Sequence, residues 1–213
     1  MQLTWYGLSC FKIQSKDINV ITDPYHKSSG LTPLKTKADI VTVSHNHDNH
    51  NNTQDIKGDP FIIDGPGEYE RQGVFVKGIN SFHDNKEGDE LGPNTIYIFE
   101  IEKIKICHLG DLGHNLSSKQ VERIDAVDIL LVPVGEHTTL KINNLMDVIN
   151  NIGPRIVIPM HYYDKRLKTK LNKETDFLSE MGQEKIKPEP KLTIKHKDLP
   201  TDETKVILLE NTR

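Results

Sequence analysis

The sequence has almost no cysteine, no long apolar run and no basic excess, and each absence removes a class of protein. Two cysteines in 213 residues, Cys10 and Cys107, cannot build a disulfide framework. Both stand in apolar, strand-like runs, where buried thiols are expected. The longest apolar run, 129–134, is short and is interrupted by Pro133. A membrane-crossing helix needs roughly 20 apolar residues, so no membrane span is expected. The opening residues, MQLTWYGLSCF, lack the basic stretch and following apolar segment of a secretory leader, and the expected location is the cytoplasm. Lys plus Arg is 27 against 31 for Asp plus Glu, a net charge of -4, which argues against a nonspecific nucleic-acid binder. No G-x-G-x-x-G follows a strand and no P-loop is present, which removes the dinucleotide and P-loop nucleotide folds. A chain that is 35% hydrophobic and 27% charged is globular, and its length suits a single domain over 1–213.

What the chain does contain is an ordered string of short apolar runs. Residues 3–6, 10–14 and 19–22 are separated by glycine or polar residues, and 39–44, 61–64, 74–82, 95–101 and 104–108 continue the pattern. Gly65-Pro66-Gly67 reads as a turn, with PGEYE at 66–70 an exposed stretch. Ser117-x-x-Gln120 is a capping-box pattern that opens a short helix. Leu145, Val148, Ile149 and Ile152 recur at helical spacing before Gly153-Pro154. Residues 128–134 and 155–160 read as buried strands, 173–181 as a helix, and 192–195 and 205–209 as closing strands. Strands first, then strands alternating with helices, predict an α/β protein of layered sheets flanked by helices.

Ten histidines are present, and three fall in SHNHDNH, 44–50, directly after the apolar run DIVTVS. On an extended segment His45 and His47 point to the same side. Two imidazoles together at the end of a rigid strand suit a metal ion, and His50 can turn towards a second. Further candidate ligands stand at other strand ends: His83 after 74–82, Asp111 in HLGDLGH with Gly110 and Gly113 permitting close backbone approach, and His161 after RIVIPM.

The order Thr22-Asp23-Pro24, His45-x-His47-x-x-His50, His83, Gly110-Asp111 and Met160-His161, with the phrases WYGLSCFKI, CHLGDLGH, ILLVPVG and IPMHY, resembles the metallo-β-lactamase superfamily. Within it the chain is most similar to small bacterial and archaeal Zn-dependent hydrolases related to L-ascorbate-6-phosphate lactonase. The resemblance covers about residues 1–165 and implies an αββα sandwich, metallo-β-lactamase-like, with a metal centre at one edge of the sheets. It makes His45, His47 and His83 ligands of one metal, Asp111 a bridge, and His50 and His161 ligands of a second. Asp23 would hold the histidine loop, with His108 and, more weakly, His114 as further supports. The family pattern H-x-H-x-D-H is broken here: Asn49 stands in place of the Asp, and the carboxylate is one residue earlier, at Asp48.

The expected activity is therefore metal-dependent hydrolysis, with a metal-bound hydroxide attacking a small ester, lactone, amide or phosphodiester. Asp48 is the candidate for handling the proton, beside Asp111. The cofactor is a divalent metal, Zn²⁺ first and Mn²⁺ or Fe²⁺ as alternatives, in one or two sites. His137 and the basic run Lys165, Arg166, Lys168 and Lys170 are candidates for lining an entrance that attracts an anionic small-molecule substrate; Glu68 and Tyr69 read more plainly as turn and surface. Two other readings stand beside this one: a nuclease of the same superfamily, and a non-catalytic metal-binding descendant with a weakened second site.

Overall fold

In the computed structural model, which describes residues 1–16 and 18–213, two β-sheets lie face to face. The first contains, in spatial order, β12 (Leu192–Thr193), β1 (Gln2–Trp5), β2 (Phe11–Gln14), β3 (Asn19–Thr22), β4 (Ile40–Thr42) and β5 (Phe61–Ile63). The second runs β13 (Lys205–Val206), β11 (Ile156–Met160), β10 (Ile129–Pro133), β9 (Ile104–His108), β8 (Pro93–Ile101), β7 (Val74–Phe82) and β6 (Gly67–Arg71). Among the described residues there are also three α-helices: α1 (Ser118–Ile124), α2 (Ile142–Ile152) and α3 (Thr175–Glu180). This is the layered α/β arrangement expected.

Hairpins join β1, β2 and β3 antiparallel, and β6 to β9 form an antiparallel meander. Where crossovers intervene the pairing becomes parallel: β3 with β4 and β5, and β9 with β10, β11 and β13. Parallel strands therefore release their C-terminal ends at one edge of each sheet, and the candidate ligands follow those ends.

The main core lies between the sheets. Trp5, Phe11, Val20 and Ile40 of the first sheet meet Val76, Tyr97, Phe99 and Ile106 of the second, all nearly fully buried. A second cluster uses the opposite pleat of β3 and β4, Ile21 and Val41, with Tyr25, Leu31, Leu34 and Leu171. That face is covered by the chain from Asp23 to Lys37, which contains one short 3-10 turn, Lys27–Ser29. Burial on both faces explains why β3 and β4 carry apolar residues at successive positions rather than in alternation.

α1 begins at the predicted capping box: Ser117 Oγ accepts from the Gln120 N–H, and the Gln120 side chain accepts from the Ser117 N–H. α2 buries Ile142, Leu145, Val148, Ile149 and Ile152 and ends at Gly153 in the left-handed conformation. One strand is absent from the sequence reading. β6 occupies the PGEYE stretch, as the edge of the second sheet. Its residues are mostly exposed, so it carries no apolar alternation by which a strand is recognised.

Candidate metal centre

The histidine loop leaves β4 at Thr42 and folds as consecutive tight turns rather than as an extended segment. The His47 N–H donates to the His45 carbonyl (3.0 Å), and the His50 N–H to the His47 carbonyl (2.8 Å). The turns still gather the rings on one side, with His45 and His47 6.0 Å apart and within 20° of parallel, and His45 and His50 4.2 Å apart. The second sheet grips the start of this loop. The Thr95 N–H donates to the Ser44 carbonyl (2.8 Å), and the Tyr97 hydroxyl lies 2.9 Å from the Val43 carbonyl.

His83, Asp111 and His161 follow the ends of β7, β9 and β11. Gly110, at φ +59°, permits the approach of the two sheet edges, because a Cβ there would collide with the Asn94 side chain and meet Ser44 Cβ at 2.7 Å. Two site residues that are not glycine also adopt left-handed backbone, Asp23 at φ +40° and His161 at φ +52°. Such conformations cost on the order of 1–3 kcal/mol each and persist where the surroundings impose them. Here the His161 N–H is held by the Leu8 carbonyl (3.0 Å) and the Asp23 N–H by the Thr42 carbonyl (2.8 Å).

These elements converge on one atom. Nε2 of His50, His83 and His161 lie 3.2, 3.4 and 3.3 Å from Oδ2 of Asp111. The other Asp111 oxygen accepts from the Ser9 hydroxyl (3.3 Å), and its N–H donates to Asn94 Oδ1 (3.0 Å). Three sets of metal-type atoms lie within 4.8 Å of one another: His45, His47 and His50; His45, His83 and Asp111; and His50, Asp111 and His161. Behind them, Asp23 Oδ2 accepts from His50 Nδ1 (2.9 Å) and from the Ser44 hydroxyl (2.6 Å), which in turn lies 3.0 Å from His45 Nδ1. With its own proton given to Asp23, the Ser44 oxygen accepts from His45 Nδ1–H. Both imidazoles are thereby left with Nε2 facing the cluster.

Burial and charge set the protonation of this group. Burial, helped by the charge on His50, lowers His45 to about 3, and burial lowers His161 to about 4, so both are neutral near pH 7. Burial opposes a charge on His50, but the carboxylates of Asp111 and Asp23 outweigh it and raise it to about 10. Asp111 is held well below the carboxylate range against its burial, by His161 and His50. The residues present fit a cation. His45 Nε2 is buried with no hydrogen-bond partner among the described residues, and such an atom costs about 1–3 kcal/mol when left unsatisfied. A divalent ion among several imidazoles and one carboxylate would satisfy it.

Not every candidate joins the cluster. Asp48 does not: its carboxylate is exposed and accepts from the Ser28 hydroxyl (3.1 Å), while its carbonyl accepts from the His26 N–H. The proton-handling role expected of it is not supported by this geometry, because the turn after His47 directs it to the neighbouring loop. Asn49 is buried, and its backbone N–H donates to His47 Nδ1 (3.3 Å). His108 is fully engaged as a strut, donating to the Ser9 carbonyl (2.8 Å) and accepting from the Gly110 N–H (3.1 Å). His114 accepts from the Phe82 N–H (3.1 Å) and supports the end of β7. His137 is exposed and outside the three sets. Sequence reasoning missed Ser9, Ser44 and Asn94. Only the adjacency of Ser44 to His45 was a signal; Ser9 and Asn94 act across the fold.

Comparison with known proteins agrees with this geometry. Residues 2–161 match the family described as the β-lactamase superfamily domain. The chain belongs to the β-lactamase superfamily. Among relatives of this superfamily, a UPF0173 protein of Pyrococcus abyssi is 28% identical, with 76% of this chain and 83% of that protein covered. A UPF0173 metal-dependent hydrolase of Thermoplasma acidophilum is 25% identical over the same shares of the two chains. A solved structure from Thermotoga maritima, described as a Zn-dependent hydrolase of the metallo-β-lactamase superfamily, is 36% identical with a TM-score of 0.78, covering 98% of each chain. This superfamily member is accordingly a metal-dependent hydrolase. No helix among its described residues is long and apolar enough to cross a membrane.

Proposed function

We propose that residues 1–213 form one domain that hydrolyses a small ester, lactone, amide or phosphodiester with one or two divalent cations, Zn²⁺ first among them. The observation that carries this reading is the convergence of three imidazole nitrogens on Asp111 Oδ2. His45, His47 and His83 are assigned to one cation, His50 and His161 to the other, and Asp111 to both. A bound divalent cation supplies acidity to activate water and charge to polarise the scissile group. The protein's own groups do the rest. Asp23 and Ser44 orient two imidazoles, the Ser9 hydroxyl holds the outer oxygen of Asp111, and buried walls limit water around the inner one. The exposed basic stretch with Lys165, Lys168 and Lys170, just beyond His161, supports an anionic substrate. Two buried free thiols support a cytoplasmic location. Single-domain organisation is supported by the last fifty or so residues, which add β12 to one sheet and β13 to the other.

The test is metal content together with hydrolysis of a panel of aryl esters, lactones and bis(p-nitrophenyl) phosphate. The double variant His45→Ala/His47→Ala is expected to lose metal and activity, and Asp111→Asn to fold while losing activity by orders of magnitude. Unchanged metal content in the double variant would overturn the assignment. Asn49 brings no charge to the second cation, so that cation is expected to bind more weakly than the first. Asn49→Asp should raise its occupancy in a calorimetric titration. Two equal, tight sites insensitive to Asn49→Asp and to Asp48→Asn would show that neither residue is a ligand.

A further inference from the structure

We infer that Asp84 is a positioning residue for His83: by gathering four backbone N–H groups of the loop 85–92, its carboxylate fixes the backbone that aims the His83 ring at Asp111. The inference rests on the reading of His83 as a metal ligand. It starts from a contrast among the imidazoles. His50 is held through Nδ1 by Asp23, and His45 by Ser44. His83 Nδ1 is buried and has no hydrogen-bond partner among the described residues. Its ring meets the His45 ring edge-on at 4.6 Å, and no hydrogen bond at Nδ1 sets its direction. The direction of the ring therefore comes from the main chain.

That main chain is held on two sides. The His83 N–H donates to the Gly92 carbonyl (3.0 Å), and the adjoining Phe82 carbonyl accepts from the Gly113 N–H (3.0 Å). Gly113 packs so closely that a Cβ on it would collide with the His83 carbonyl. Gly92 is in place because the loop winds around Asp84. Oδ1 accepts from the N–H groups of Lys86 (2.8 Å) and Gly88 (2.9 Å), and Oδ2 from those of Leu91 (2.7 Å) and Glu90 (3.0 Å). The loop carries backbone strain at Glu87, which takes a φ of +59° without being glycine, while Gly88 and Gly92 take positive φ freely. The Lys86–Glu90 ion pair, more than half exposed on both sides, contributes little to closing it. Four donors also explain why the residue is Asp. An Asn amide offers one accepting oxygen, and its NH₂ would face two backbone N–H groups.

The experiment titrates metal-free protein with Co²⁺ and follows the visible absorption of the ligand field. It compares wild type, Asp84→Asn and His83→Ala at a temperature where far-UV circular dichroism shows each folded. The expected result for Asp84→Asn is a displaced band and Co²⁺ affinity about 10–100-fold weaker, the size seen when groups that orient ligands are removed. A wild-type band and affinity, with only a lower melting temperature, would overturn the inference and leave His83 a ligand. His83→Ala with an unchanged band would overturn the ligand assignment itself. If Asp84→Asn does not fold, Gly88→Ala loosens the same loop by straining its φ of +88° and is read by the same two outcomes.

Discussion

A carboxylate oxygen with two lone pairs can orient more than one imidazole, and Asp23 does so through Oδ2, directly for His50 and through Ser44 for His45. The price of such a cluster is a set of histidines far from their ordinary value, which makes the stability of the metal-free protein depend on pH. His45 at about 3 and His161 at about 4 lie below the ordinary 6.5. Their contribution is complete above about 6.5 and is lost as the pH falls towards 4 and 3, because the unfolded chain takes up protons that the native chain refuses. His50, raised to about 10, works in the other direction: its contribution is complete below 6.5 and is lost as the pH climbs through 10. Chelator-treated protein is therefore expected to melt highest near neutral pH and lower on both sides. His50→Gln should flatten the alkaline limb; an unchanged limb would remove this histidine as its cause. A cation seated against His50 must also expel its proton, so loading near pH 8 is expected to release about one proton, read as a buffer-dependent binding enthalpy.

Single elements carry the site because strands stop where their loops are gripped from across the sandwich. Tyr97, on β8 of the second sheet, reaches the carbonyls of Val43 and Ile63 in the first, at 2.9 and 3.1 Å. The Ile63 carbonyl also accepts from the Val43 N–H, but the Val43 carbonyl depends on the tyrosine. Tyr97→Phe is expected to cost about 1–3 kcal/mol in a denaturant melt, the cost of a buried acceptor left unmet. It should weaken metal binding as well, since Val43 leads into Ser44 and His45. The α1 cap gives a contrasting case: Ser117→Ala is expected to cost about 1 kcal/mol without affecting the metal. A loss of metal affinity equal to that of Tyr97→Phe would show that the two effects are not local.

For the molecule as a whole, the centre is assembled from residues that lie between Ser9 and His161 in sequence, so cation binding and folding are coupled. At free cation a thousand times the dissociation constant, binding stabilises the native state by about 4 kcal/mol. For a chain of this length, chelation is expected to lower the melting temperature by roughly 10 °C. Ending the chain after His161 would keep every proposed ligand but remove β12 and β13 together with Leu192, Val206, Ile207, Leu208 and Leu209, all buried. That truncation is expected to be unfolded or insoluble; a soluble, cation-binding fragment would refute the single-domain reading.

Most strands, the α1 cap, α2 and the candidate ligands were legible in the sequence, because apolar runs, a capping box and histidines at strand ends are local signals. Phe61–Ile63 reads as a strand by its apolar residues; Gly67–Arg71 does not, because an exposed edge strand is held by backbone pairing that leaves no mark on side-chain order. The turn geometry of 44–50 and the direction of Asp48 depend on contacts with Thr95, Tyr97, His26 and Ser28, which lie from about twenty to fifty residues away. The roles of Ser9, Asn94 and Asp84 were decided in the same way. A serine, an asparagine or an aspartate is chemically ready for many partners, and only the packing of two sheets selects the one it meets. Composition and spacing thus determined that this chain is a layered α/β protein able to gather imidazoles and a carboxylate at one edge. The tertiary structure decided which oxygen they converge on and what holds each ring, since those depend on ångström-scale placement of residues far apart in the chain.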